Sequence, residues 1–162
     1  MAPGAAVTAG HPVAETRHNH SAEVFDASHV LLQGPVQSGI APVNGISIAY
    51  QVYGSKNKET FLLISGTNAQ LTMWPKKFCE KLVSHGYRVI VFDNRDIGLS
   101  TKFDQAGLPD WNAITKALEL GEKPPLAYSL DDMAKDAVVL LDVLGVKQAH
   151  IVGASMGGMI AQ

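Results

Sequence analysis

The chain has one cysteine in 162 residues, no basic cluster beyond Lys76-Lys77, and no apolar run near the length of a membrane span. Each absence removes a class of function. A lone Cys79 forms no internal disulfide and supplies no cysteine pair for a structural zinc site, which fits a reducing compartment and a cytoplasmic location. No metal or other cofactor is expected. A formal net charge of -2 gives no electrostatic footprint for nucleic acid or an anionic membrane. A spanning helix needs roughly 20 apolar residues, and none is found. The N-terminus has no positively charged start followed by an apolar core, so it does not read as a signal peptide.

What remains is 46% apolar and 17% charged, enough for one globular core. Residues 1–37 are rich in Ala, Gly, Pro, Ser and His without a sustained apolar period, and read as a mobile leader outside the core. His11, His18, His20 and His29 lie there, at spacings that match no helix face or metal-ligand pattern. Residues 38–162 read as the folded portion.

That portion opens with two extended stretches, Ile40 to Val43 and Ile46 to Tyr53, separated by Asn44-Gly45. Both central residues of a type I′ turn need positive φ, so Asn-Gly predicts an antiparallel hairpin. Thr60 to Ser65 and Tyr87 to Phe92 are short, continuously apolar runs of the kind buried on both faces of a parallel sheet. A helix is expected from Pro75 to about Ser84, closed by Gly86. A second starts at Ser129, with Asp132 completing its cap and Met133, Ala137, Leu140, Leu141 and Leu144 as its apolar stripe. The connection from Thr101 to Tyr128 is long, contains a short helix between Pro109 and Leu120, and reads as a wall of a pocket. Alternation of strand and helix after a hairpin predicts an α/β fold: a mostly parallel sheet with helices on both faces.

Gly153-Ala154-Ser155-Met156-Gly157 follows the apolar run Ala149 to Val152. Gly-x-Ser-x-Gly between a strand and a helix reads as a nucleophile elbow, a turn so tight that only small residues fit two positions either side of the serine. Ser155 is the candidate nucleophile, and Gly153 and Gly157 the elbow glycines. A serine hydroxyl needs a base for its proton and donors for the oxyanion that follows its attack. The N–H of Met156 is one candidate donor. The second should come from the loop after Ser65, where Gly66 leads to Thr67 as the first candidate and Asn68 as the next.

Blander readings compete. Ser155 could simply cap the following helix. A dinucleotide-binding turn also joins a strand to a helix, but it needs glycine at position 155 and an acidic residue some 20 positions on. Asp93-Asn94-Arg95-Asp96 could suggest acid-base chemistry, although such a cluster more often pins a loop through hydrogen bonds and one ion pair. His85 falls in a turn and His150 within the strand before the elbow, so neither reads as a catalytic base.

Three runs then carry a resemblance: Phe92 to Thr101 (FDNRDIGLST), Tyr128 to Ala134 (YSLDDMA) and Ala149 to Gln162 (AHIVGASMGGMIAQ). They are similar to the α/β-hydrolase superfamily, in particular to an esterase-like group that includes the aclacinomycin methylesterases, over about Val43 to Gln162. The resemblance implies an eight-stranded sheet, Ser155 as nucleophile, and hydrolysis of a small-molecule carboxylic ester through an acyl-enzyme. Many members have His-Gly after the third strand; here the sequence is Ser65-Gly66-Thr67-Asn68, so the oxyanion assignment rests on position. In the family the triad acid and histidine follow the serine, and here only Gly158 to Gln162 remain after the elbow. The expectation is therefore the N-terminal part of a serine hydrolase, inactive by itself, with an apolar edge beside its last strand. The alternative is a non-catalytic, hydrolase-like binding module or a fragment that needs a complementing chain.

Overall fold

A computed structural model describes residues 36–56 and 58–162. The leader expected over 1–37 falls on residues outside this range, apart from Val36 and Gln37. The described elements are β1 (Gln37–Val43), β2 (Ile46–Tyr53), β3 (Thr60–Ile64), α1 (Lys76–Ser84), β4 (Arg88–Phe92), α2 (Trp111–Glu119), α3 (Leu130–Val143), β5 (Ala149–Gly153) and α4 (Met156–Ile160).

The hairpin forms as its turn chemistry demands. Asn44 and Gly45 take φ of 48° and 79°, and Val43 pairs with Ile46 across a two-residue loop. β1 starts at Gln37, three residues before the expected start, and lies at the sheet edge. An edge strand has one side free of ladder bonds, which is where Pro42, lacking an N–H, is tolerated.

The five strands form one sheet in the order β1-β2-β4-β3-β5. β1, β2 and β4 pair antiparallel in turn, while β3 runs parallel to both β4 and β5. β4 thus inserts between β2 and β3, a crossover that no local pattern encodes. β4 is buried throughout and sorts its side chains by alternation. Ile90 and Phe92, with Leu62 and Ile64 of β3, pack against Met133, Ala137 and Leu140 of α3 and Ile160 of α4. Val89 and Val91, with Leu63, face α1 and its Cys79 on the other side. Helices therefore cover both faces, and each fully buried Val, Leu, Ile or Phe side chain among these contributes roughly 1.5–3 kcal/mol.

β5 is less enclosed than its apolar sequence suggests. Among the described residues its ladder is with β3 alone, and Ile151 is 41% exposed beside Val138 at 59% and Met159 at 62%. The described residues thus leave apolar surface along this side of the sheet. No helix among them is long and apolar enough to cross a membrane.

α3 starts where the sequence places it. The Ser129 hydroxyl accepts from the Asp132 N–H, and the Asp132 carboxylate accepts from the Ser129 N–H, a reciprocal capping box. Ser129→Ala is expected to destabilise the fold by about 1 kcal/mol, the usual cost of a lost serine cap, measured by urea unfolding. The backbone and hydroxyl of Ser129 also hold the Asp132 carboxyl below its ordinary 3.8. A depressed carboxylate stabilises fully above its unfolded pKa and loses that contribution as pH falls through the folded one. The difference between wild type and Ser129→Ala should accordingly shrink below about pH 3.8.

Candidate functional site

β5 ends at Gly153, α4 begins at Met156, and the chain reverses direction in the two residues between. Both flanking glycines are sterically required. A Cβ on Gly153 would collide with the Gly157 carbonyl, and one on Gly157 with the carbonyl of Ile64 on β3. The turn is therefore pressed against its own helix and against the neighbouring strand.

Ser155 sits at the apex with φ 54° and ψ -125°, a conformation few residues other than glycine adopt. Such a geometry costs on the order of 1–3 kcal/mol and persists only where the surroundings enforce it. Its side chain makes no capping bond to α4, so the simple helix-cap reading does not describe it. The residue is exposed.

The loop after β3 lies directly against this apex. A Cβ on Gly66 would come within 3.0 Å of both the Ala154 carbonyl oxygen and the Ser155 Cβ. Gly66 to Ala69 form a turn closed by Ala69 N–H donating to the Gly66 carbonyl at 3.3 Å, with Asn68 at φ 57° in its third position. Positive φ at that position is what a type II turn requires, and asparagine tolerates it. The Thr67 hydroxyl donates to the Met156 sulfur at 3.5 Å. All the expected site residues, Gly66, Thr67, Gly153, Ser155, Met156 and Gly157, thus meet at one junction. Neither the Thr67 nor the Met156 N–H donates to a protein acceptor among the described residues.

The described histidines lie elsewhere. His85 caps α1, with its ring against the Lys81 carbonyl at 2.8 Å. His150 is at the far end of β5, 3.5 Å from Glu59 and packed on Phe61. Three residues of strand put His150 roughly 10 Å from Gly153, and the turn carrying Ser155 lies beyond that end of the strand. No cluster of metal-ligating side chains occurs among the described residues.

The acidic run after β4 is fully engaged in holding loops. Asp93 accepts from the N–H groups of Leu71 (2.7 Å) and Leu99 (3.0 Å), Asn94 donates to the Ser65 carbonyl (3.0 Å), and Asp96 accepts from the Phe103 N–H (2.6 Å). Arg95 finds its ion pair outside the run. Its Nε and Nη2 reach Asp136 of α3 at 2.7 and 2.8 Å, while the rings of Phe103 and Tyr128 lie 5.4 and 5.2 Å from its guanidinium. Sequence reasoning missed Asp136. The signal was a charged residue adjoining the α3 apolar stripe at Met133 and Ala137, where solvent exposure was not to be expected.

A family model described as the alpha/beta hydrolase fold matches residues 59–162. The rhodomycin D methylesterase DauP of Streptomyces sp. (strain C5) is 37% identical over 101 residues, covering 62% of this chain and 28% of that protein. The rhodomycin D methylesterase DnrP of Streptomyces peucetius is 38% identical over the same length and shares. The chain therefore spans about 28% of the length of these relatives. A solved hydrolase from Pseudomonas aeruginosa PA01 superimposes with a TM-score of 0.57 at 26% identity, over 76% of this chain and 38% of that one. The inserted β4, the strand-turn-helix at Ser155 and the matched family model agree, and the chain belongs to the alpha/beta hydrolase fold family.

Proposed function

We propose that this chain carries the nucleophile and oxyanion-binding elements of a serine hydrolase acting on a small-molecule carboxylic ester. The observation that carries the reading is Ser155. It is held in a strained conformation at a strand-to-helix turn, it is exposed, and its hydroxyl is not used as a helix cap. Strain of this kind gathers at functional sites, where the surrounding structure offsets it. The similarity to two methylesterases supports an ester as the bond cleaved.

In this mechanism the Ser155 Oγ attacks the ester carbonyl as a general base takes its proton. The carbonyl oxygen becomes an oxyanion, which accepts hydrogen bonds from the N–H groups of Thr67 and Met156. Collapse expels the alcohol and leaves an acyl group on Ser155, and water then releases the acid by the same steps. Gly66 keeps the Thr67 loop close to the elbow, because a side chain there would crowd Ser155. The base is not His85 or His150, which are placed too far from the serine. A cytoplasmic setting is supported only by cysteine usage: Cys79 is the single cysteine in the sequence and forms no internal disulfide.

The test is covalent labelling. A fluorophosphonate probe added to the complete gene product is expected to modify Ser155, located by peptide mass spectrometry. Absence of labelling, or labelling that persists in Ser155→Ala, would overturn the proposal.

A further inference from the structure

The loop proposed to stabilise the oxyanion has no ladder bonds of its own to fix it. It leaves β3 at Ser65 and ends where the 3₁₀ turn Leu71–Met73 begins. Both ends are tied to two consecutive residues of another loop. At the first, the Asn94 Nδ2 donates to the Ser65 carbonyl at 3.0 Å, one peptide before Gly66. At the second, the Asp93 Oδ1 accepts from the Leu71 N–H at 2.7 Å, while its Oδ2 accepts from the Leu99 N–H at 3.0 Å. Asn94 is 2% exposed and Asp93 3% exposed.

These ties are stiff. Bonds from N–H groups to a carboxylate are shorter and about twice as strong as neutral ones, and a buried anion leaves its site only at the cost of its partners. The carboxylate cannot swing toward Gly98, because even a Cβ there would overlap it. Its own backbone is anchored as well: the Asp93 carbonyl accepts from the Ser100 hydroxyl at 2.6 Å, and its N–H donates to the Ala49 carbonyl at 2.9 Å. The anchor therefore lies in the centre of the sheet, at the end of fully buried β4, while the anchored loop touches the elbow.

We infer that Asp93 and Asn94 are positioning residues that set the direction of the Thr67 N–H toward the oxyanion formed at Ser155. This rests on the serine-hydrolase reading above. An oxyanion donor acts through placement, and a loop free to shift by a few tenths of an ångström loses much of its effect. Neither side chain touches the reacting atoms; both act through the loop backbone. Asp93, with both carboxylate oxygens occupied by backbone N–H groups, is not available as the acid of a triad.

The experiment compares the complete gene product with Asn94→Leu, Asn94→Ala and Asp93→Asn, using a p-nitrophenyl ester and active-site titration to count folded enzyme. Removal of an oxyanion donor outright costs about 10²–10³ in kcat, so loosening one is expected to cost about 10- to 100-fold. KM should stay within about twofold, because ground-state binding does not use the hole. Affinity for a trifluoromethyl ketone, whose hemiketal oxyanion needs the same donors, should fall in parallel with kcat. A purely structural role would lower the melting temperature and leave kcat per titrated site and ketone affinity unchanged; that result overturns the assignment. So does failure of all three variants to fold, which would make the ties part of the fold alone. If wild type neither hydrolyses the ester nor labels at Ser155, the serine-hydrolase reading falls and takes this inference with it. If wild type does both and the variants match it, only the positioning role is lost.

Discussion

Ser155→Ala is expected to lower ester-hydrolysis kcat by about 10⁶-fold in the complete gene product, the scale of loss when a serine hydrolase loses its nucleophile. The residue offers a second and independent measurement, because its conformation is costly. At φ 54° and ψ -125° an alanine Cβ meets the same backbone clash as the serine, so Ser155→Ala should keep the strain. Glycine carries no Cβ and occupies this region freely. Ser155→Gly is therefore expected to be as inactive as Ser155→Ala yet more stable than it, by about 1 kcal/mol or more in urea unfolding. A structure that holds a residue against its preference, when glycine would relieve it, is being held for its side chain. Retained turnover in Ser155→Ala would sink the nucleophile assignment, and a glycine variant less stable than the alanine variant would refute the strain argument.

The parts of this site that a reader of the sequence could find are those with a local cause. Asn44-Gly45 specifies positive φ at two successive residues, and Ser129 with Asp132 specifies a helix start; both follow from side chains within four positions of each other. The elbow is legible for the same reason, since Gly153 and Gly157 are spaced by the turn they permit. What was not legible is set by contacts far apart in the chain. Nothing near Ser65 announces that its carbonyl will meet Asn94, 29 positions on, and nothing near β4 announces its insertion between β2 and β3. β5 shows the converse limit. Its apolar composition suits a fully buried strand, but burial depends on neighbours, and in the described residues its outer side stays open. On α3 the apolar stripe correctly included Met133, Ala137 and Leu140, while Leu141 and Leu144 are only half-buried and Asp136 is 1% exposed.

Asp136→Ala is expected to be the most damaging single change to stability away from the elbow, because of what it leaves behind. The Arg95 side chain is 6% exposed, and its Nε and Nη2 both donate to Asp136. Those bonds hold the guanidinium charge firmly, raising its pKa above an already high value against the opposing effect of burial. Asn44 adds a third donor to the same carboxylate at 3.0 Å, so the hairpin turn, the loop after β4 and α3 converge on one anion. Removing it strands a buried cation between the Phe103 and Tyr128 rings, whose cation–π attraction is worth only about 0.5–2 kcal/mol. Breaking a buried pair from one side costs roughly 3–5 kcal/mol, a third or more of the stability of many domains. The ions themselves are not the source of net stability, since desolvating both offsets most of their attraction. An apolar replacement of the pair, Arg95→Met with Asp136→Leu, should therefore recover most of the loss and end within about 2 kcal/mol of wild type. Urea unfolding of Arg95→Met, Asp136→Leu and the double variant forms a cycle that separates these contributions. Because the pair is shielded from solvent ions, the wild-type midpoint should change little between 0.05 and 0.5 M salt, on the order of what surface charges alone produce. A single variant within about 1 kcal/mol of wild type, or a double variant as unstable as the single, would show that the cluster is not held together by this pair.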